Sequence, residues 1–288
     1  MNNEFDIVIP LSPRDRQIVL HTIKAIKKHI KHKKIYLICK KSVKKYLESK
    51  IKCSDLNIII IDENKLLPGL SFKYIESKLI SKYGKKQNTG WYFQQILKLG
   101  FCNSEFCSRD YVVWDADTIP LRNIDFYSGK KTFFYVKHGI HEPYFHTIKK
   151  LIGFNKQNQI SFITEFMLFK KDVLEDLLFL LCDKGKFGWI DIIFDNISKQ
   201  EFNSFSEFEL YGSYCEMMFP NQYIQKKIKA YRSAGLKYSR WSGINKAITE
   251  NSHYDTISFE YQMHPPNFEG IIDRIFKASD KIYTKILF

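Results

Sequence analysis

Two carboxylates, Asp115 and Asp117, stand two positions apart directly behind the hydrophobic run Tyr111-Val-Val-Trp114. The run is β-branched or aromatic, the composition of a buried strand, and Pro120 is read as the end of its pairing. Residues two apart on an extended backbone face the same way, so both side chains are expected to meet one ligand. Hard oxygen donors this close suit Mg²⁺ or Mn²⁺, with substrate phosphates completing the shell. Ligands of open α/β sheets bind beyond the C-terminal ends of the strands, so the pair points to a metal-dependent, nucleotide-binding enzyme. Asp-x-Asp also caps turns and decorates solvated loops; its abrupt start from a buried strand favours the metal.

The elements that must hold this pair are legible as alternating strands and helices. Residues 5–10, 35–39 and 57–61 read as strands. Residues 14–30 read as a helix with Ile18, Val19, Thr22, Ile23, Ile26 and Ile30 on one face, and 42–49 as a shorter one. Such alternation indicates βαβ units and a largely parallel sheet. Residues 90–99 read as a helix running into the Tyr111 strand. Strands at 131–136 and 165–169 and helices at 172–182 and 206–219 follow. The first third has the layout of a nucleotide-binding layer, yet it lacks both Gly-x-Gly-x-x-Gly and a Gly-Lys-Ser/Thr phosphate loop. Phosphates must then be held by another device, which a metal on Asp115 and Asp117 supplies. No linker or repeat marks a boundary, so 1–288 is expected to form one domain.

A chain of 288 residues with 44% hydrophobic and 16% aromatic content can bury a substantial core, which excludes disorder. No apolar run reaches the ~18 residues of a membrane span, and Met1-Asn-Asn-Glu-Phe-Asp lacks the layout of a signal peptide. A cytoplasmic location is expected. The six cysteines form no Cys-x-x-Cys or Cys/His zinc spacing and are expected to stay reduced. The net charge of +14 suggests nucleic acid first, but no nucleic-acid module is present, and the Lys, Ile and Asn enrichment is what an AT-rich genome produces. The other reading of this charge is peripheral contact with an anionic membrane, on the cytoplasmic face of the inner membrane. In residues 269–288 apolar side chains recur at helical spacing with Arg274, Lys277, Lys281 and Lys285 between them, an amphipathic C-terminal helix that either packs on the domain, the favoured reading, or lies on a membrane surface.

The order of these parts resembles a known family. Phe5-Asp-Ile-Val-Ile-Pro10, then Asp62, then Trp91-Tyr-Phe-Gln-Gln-Ile-Leu-Lys98 ahead of Trp114-Asp-Ala-Asp117 is similar to GT-A-fold glycosyltransferases. Gly90 to Leu99, Ser161-Phe-Ile-Thr-Glu-Phe-Met-Leu-Phe169 and Ser206-Glu-Phe-Glu-Leu-Tyr-Gly212 resemble, more narrowly, a bacterial group long catalogued as a domain of unknown function and found near surface-polysaccharide genes. The resemblance runs from about Phe5 to Pro266. It implies an α/β fold, a GT-A-like Rossmann-type mixed sheet flanked by helices. Residues 1–120 would be the nucleotide-binding half and 121–268 the acceptor-side, catalytic half.

What the resemblance implies for residues is specific. Asp117 would bind the divalent ion, and Asp115 the ribose or the metal, with His264 (or its competitor His253) completing the metal shell. Asp62, Gln94, Gln95 and Lys98 would contact the nucleotide-sugar donor, expected to be a UDP-sugar, with Lys98 at the diphosphate. Glu207 or Glu209 would deprotonate the acceptor hydroxyl, giving transfer with inversion to a lipopolysaccharide, lipooligosaccharide or capsule glycan. His141, Glu142, Tyr144 and Glu165 would meet the acceptor. Local physics explains Glu209 without function, since Ser206 and Glu209 have the spacing of a capping box, and leaves Glu207 at the first helical position, where a carboxylate also benefits from the helix dipole; the base stays open between the two.

Two rivals come from other classes. A nucleotidyltransferase would carry a Gly-rich basic loop after the first strand, where this chain has Leu11-Ser-Pro-Arg-Asp-Arg16. A basic nucleic-acid-binding protein is favoured by net charge alone.

Overall fold

The computed structural model describes residues 4–260 apart from 53–54, 86–87, 183–187, 202 and 241. Through the first half the elements are β1 (Asp6–Pro10), α1 (Ile18–His29), β2 (Ile35–Cys39), α2 (Lys41–Lys50), β3 (Ile58–Asp62), α3 (Phe72–Tyr83), α4 (Thr89–Gly100), β4 (Tyr111–Trp114), β5 (Thr118–Pro120), β6 (Tyr127–Ser128) and β7 (Lys131–His138). The second half adds α5 (Glu142–Ile152), β8 (Ile160–Ser161), β9 (Phe166–Phe169), α6 (Lys171–Leu180), α7 (Gly188–Asn196), α8 (Glu207–Met218), β10 (Tyr223–Lys227), β11 (Ala230–Tyr231), α9 (Ala234–Lys237), α10 (Ile244–Glu250) and β12 (Thr256–Ser258). The architecture is mixed α/β, with parallel and antiparallel strands and flanking helices, as the alternating pattern predicts. No described helix is long and apolar enough to cross a membrane.

The chain divides into two compact units, each assembled from separated segments. The first comprises residues 1–8, 63–113 and 126–227. In it β1 pairs in parallel with β4, Ile7 opposite Val112, and β9 lies on the other side of β4. A second sheet runs β10-β7-β6, with β8 antiparallel to β7. The core is an aromatic chain. Phe101 meets Tyr111 edge-on at 4.9 Å, Tyr111 meets Phe169, Phe169 meets Tyr211 at 4.6 Å, and Phe134 stacks on Tyr223 at 4.1 Å. Such pairs add roughly 0.5–1.5 kcal/mol each beyond their burial. Tyr111 and Tyr211 also find polar partners: Tyr111 donates to the Lys98 carbonyl, and Tyr211 accepts from the Lys170 amide. Helix α8 approaches the Phe162 ring so closely that a Cβ on Gly212 would lie 2.4 Å from it, which is why glycine stands there.

Among the described residues the second unit comprises 9–62, 114–125 and 228–260. Strands β2 and β3 pair in parallel with Leu37 opposite Ile60. β11, β12 and β5 form a small sheet in which β12 runs antiparallel to β5. Ile18 of α1, Ile119 of β5, Tyr238, Ile244, Ala247, Ile257 and Phe259 pack as its core. The face predicted for the first helix is the buried one: Ile18, Val19, Thr22, Ile23 and Ile26 are all inside. The helix begins later than the sequence suggests, because Pro13–Asp15 forms a separate 3₁₀ turn. Pro120, read as a stop, instead pairs opposite Thr256 on the outer strand of this sheet, where a missing N–H is tolerated. The amphipathic segment 269–288 lies outside the described residues.

Candidate functional site

In the second unit the Asp115-Ala-Asp117 segment is a turn and not the end of an extended strand. The Thr118 amide donates to the Asp115 carbonyl at 3.1 Å, closing the turn between β4 and β5. Strand periodicity therefore does not aim the two carboxylates; the turn does. All three of its carbonyls are engaged. Besides the Thr118 contact, Thr22 Oγ1 donates to the Ala116 carbonyl at 2.8 Å, and the Phe259 amide to that of Asp117 at 3.0 Å. The Trp114 indole locks the exit by donating to the Thr118 carbonyl at 2.7 Å, and the Thr118 and Ser258 hydroxyls bond at 2.8 Å. A backbone this tied down holds its side chains without further ordering cost, the preorganisation a charged ligand needs. Thr22→Val strips one tie and leaves the Ala116 carbonyl unpaired. It is expected to cost about 1–3 kcal/mol in urea unfolding and to weaken metal-dependent ligand binding; an unchanged unfolding midpoint would show that this tie is dispensable.

Asp117 is partly buried, and its carboxyl is pushed up to about 8. Burial is the main cause, followed by the charges of Asp15 and Asp115; Arg240 opposes them, and Glu260 adds to the rise. Asp15 itself is clasped by Arg240 Nη2 at 2.6 Å and by the Ser12 hydroxyl, and Arg240 is 2% exposed. Asp15 and Arg240 are absent from the sequence-level site. They are 225 positions apart, and no local pattern connects them; the one available hint is a charged loop directly after the first strand. Asp62 closes β3 and is partly exposed. His253 is exposed against the Tyr254 ring, and His264 lies outside the described residues.

Among the described residues no three His, Cys, Asp or Glu side chains are grouped to hold a metal ion. The donor chemistry of the turn nevertheless fits Mg²⁺ or Mn²⁺. Two hard carboxylates share a rigid turn, one of them is disfavoured as a bare anion, and these ions take one or two carboxylates plus ligand oxygens.

The first unit carries a different constellation. Lys98, three-quarters along α4, and Glu207, the first residue of α8, form an ion pair at 2.7 Å with side chains 7% and 5% exposed. One turn earlier on α4, Gln95 accepts the Glu207 backbone N–H at 3.0 Å, capping one of the orphan donors at the start of α8. The Lys98 ammonium also lies 4.4 Å from the Phe208 ring centre. Gln94, on the neighbouring position, is only partly buried.

Glu209 departs from the capping-box expectation. Ser206 does cap α8 by accepting the Glu209 amide at 3.3 Å, but the Glu209 carboxylate does not reach back to Ser206. It accepts instead from the Ser161 hydroxyl and from the Phe162 amide at 3.1 Å, tying α8 to β8. Burial raises its carboxyl to about 7 against the lowering effect of Ser161 and Lys156. Because the folded value lies above the unfolded one, stability is full below about 4.5 and is lost as pH rises through about 7. Glu209→Gln keeps the acceptor oxygen, so it should match wild type in urea unfolding at pH 5 and exceed it at pH 8. Equal stability at both values would contradict a buried, reluctant carboxylate.

Glu165 is buried in the first unit with φ of 59°, uncommon for a non-glycine residue, and pairs with Lys137 at 2.5 Å. The strand predicted from 165 starts at Phe166 for that reason. His141, Glu142 and Tyr144 lie at the N-terminus of α5, His141 as its N-cap and Pro143 in its first turn. His141 and Glu142 are exposed, Tyr144 is partly buried, and the His141 and Tyr144 rings meet edge-on at 4.5 Å.

A family model described as "Family of unknown function (DUF6492)" matches residues 2–241. No curated protein matches the chain. Among solved structures the chain is similar to mouse xyloside xylosyltransferase 1, with 9% identity, coverage of 91% of this chain and 100% of that one, and a TM-score of 0.49. It is similar to the galactosyltransferase LgtC, with 12% identity, 88% and 87% coverage, and a TM-score of 0.43. A third is the glycosyltransferase GlyE of Streptococcus pneumoniae, with 13% identity, 92% and 56% coverage, and a TM-score of 0.43.

Proposed function

The chain belongs to the family of unknown function DUF6492, and from that premise we propose that it is a metal-dependent glycosyltransferase. It moves a sugar from a nucleotide-diphosphate donor, a UDP-sugar, to a bacterial surface glycan. The observation that carries the reading is the Asp115–Asp117 turn, fixed through all three of its carbonyls and crowded with like charge around Asp117. Asp115 and Asp117 would hold Mn²⁺ or Mg²⁺. When bound, the ion supplies Lewis-acid neutralisation of a diphosphate leaving group. Thr22 and Phe259 keep the turn from yielding as charge changes.

In the other unit, Glu207 takes the proton of the acceptor hydroxyl, and transfer proceeds with inversion. Lys98 holds that carboxylate in place, and Gln95 fixes the backbone from which Glu207 projects. Glu209, bound by Ser161 and Phe162, is assigned to positioning α8. Gln94 and Asp62 are assigned to the donor, and His141, Glu142, Tyr144 and Glu165 to the acceptor.

Contact with an anionic membrane is the second element of the proposal. Residues 9–62 hold fourteen Lys and Arg against four Asp and Glu. In that unit Lys27, Lys28, Lys31 and Lys33, with His29 and His32, line a hollow of about 620 Å³. Basic residues near an anionic surface contribute about 1 kcal/mol each and are screened by salt. Salt-sensitive sedimentation with phosphatidylglycerol vesicles, absent with phosphatidylcholine, is the expected result.

The deciding experiment is calorimetric titration of the protein with UDP, GDP and CDP in Mn²⁺ and again in EDTA. Binding of UDP in Mn²⁺ that disappears in EDTA is expected. Failure of the folded protein to bind any of the three nucleotides would remove the transferase reading.

A further inference from the structure

Within the first unit, the C-terminal half of α5 and the turn after α7 enclose a hollow of about 660 Å³. That volume suits a sugar ring and not just a bare ion, since small-molecule sites run roughly 300–1,000 Å³. Ser198 builds the turn: its hydroxyl accepts the Gln200 and Glu201 amides, both at 3.3 Å, and donates to the Gln200 side-chain oxygen at 3.3 Å. The Ser198 amide in turn donates to the Ser204 hydroxyl at 3.1 Å. Among the described residues the Gln200 NH₂ group has no acceptor. Glu201, the acid on this wall, is engaged by His146, whose Nδ1 lies 3.3 Å from its Oε1.

The cations of the hollow are not matched in this way. Lys149 and Lys150 have no carboxylate partner among the described residues, nor has Lys199, which stands between Ser198 and Gln200. Lys82 of α3, whose ammonium donates to the Asp195 carbonyl at 2.7 Å, feels the same excess. Burial lowers its pKa, against Asp195, and the charges of Lys199 and Lys150 lower it further. The helix dipole accounts for two lysines in the last turn of α5, but not for Lys199 outside that helix.

We propose that this hollow is a subsite for the anionic group of an acidic sugar, a carboxylate or phosphate on the ring, held by Lys149, Lys150 and the Gln200 NH₂ group. An ammonium is a point charge that takes either anion in charge-assisted hydrogen bonds. That the sugar belongs to the acceptor rests on the glycosyltransferase reading, which assigns Glu142 and Tyr144 of the same helix to that glycan. His146 follows Glu142 by four positions and Lys150 follows His146 by four, so the three share one helix face. Eight helical positions span about 12 Å. The subsite therefore reads a sugar beyond the one that reacts, and the acceptor class is an acidic glycan.

The test is ¹H–¹⁵N NMR of the folded protein, without metal or nucleotide, titrated with glucuronate, glucose 6-phosphate and glucose. Saturable shifts at residues 146–150 and 198–201 are expected with the acidic sugars and not with glucose, weakening as salt rises. The tighter of the two acids identifies the group. Lys149→Gln combined with Lys150→Gln changes two exposed side chains and is expected to weaken binding about tenfold. Lys130→Gln, at an exposed lysine elsewhere in the unit, is expected to bind as wild type does. An equal response to glucose, or shifts spread over the lysine-rich surface with no maximum at the hollow, would overturn the subsite. Failure of the glycosyltransferase reading shows instead in the nucleotide titration and leaves these shifts in place.

Discussion

Asp117→Asn is expected to abolish Mn²⁺-dependent UDP binding and at the same time to raise the thermal midpoint of the protein in EDTA. The two effects have opposite signs for one reason. The carboxylate is costly to the protein alone, because burial and the charges of Asp15, Asp115 and Glu260 all oppose its ionisation, against Arg240. Asparagine keeps the shape without the charge. A bound cation reverses the balance. At 4 Å and an effective dielectric near 20, one unit charge pair is worth roughly 4 kcal/mol, so binding in Mn²⁺ should weaken by about a thousandfold. Calorimetry with UDP in Mn²⁺ and thermal unfolding in EDTA separate the outcomes. A lowered midpoint in EDTA would mean that the carboxylate serves the fold. Retained Mn²⁺-dependent binding would remove Asp117 from the metal.

The second large effect belongs to the Lys98–Glu207 pair. Lys98→Met leaves a buried carboxylate without its cation, a change that typically costs about 3–5 kcal/mol. Lys98→Met combined with Glu207→Leu removes both charges, and replacing a buried pair by apolar residues is often neutral or stabilising. The double variant should therefore recover most of the lost stability in urea unfolding while remaining inactive. Glu207→Gln is expected to lower transfer by about 10²–10⁴, the usual contribution of a positioned base, with UDP affinity nearly unchanged. If the double variant transfers sugar, Glu207 is not the base. If it is no more stable than Lys98→Met, the ion pair is not what couples these two residues.

Several of these residues were visible before any fold was known, because their signals are local. The strand at Tyr111–Trp114 and the apolar face of α1 follow from side-chain type and period, which depend on neighbours a few positions away. Ser206 as the cap of α8 is likewise a short-range fact. The Glu209 carboxylate escaped that logic. A capping box needs only the first turn of a helix, but Ser161 of β8 presents a hydroxyl and the next residue, Phe162, an amide from 48 and 47 positions earlier, and both bond to the buried carboxylate. The apolar neighbours of Glu165 predict a strand from that residue, yet its backbone adopts a positive φ beside the Lys137 ion pair.

What the sequence by itself determined is the α/β class, most of the strands and helices, and the chemical character of Asp115, Asp117, Lys98 and Glu207. Only the tertiary structure decided what those groups face. It turned Asp115-Ala-Asp117 into a pinned turn through Thr22, 94 positions from Ala116. It joined Lys98 to Glu207 across 109 positions and Asp15 to Arg240 across 225. Secondary structure is written in hydrogen bonds and side-chain periods between near neighbours. A buried charge, by contrast, must find its counter-charge wherever the packed chain brings one, and no local pattern records that meeting.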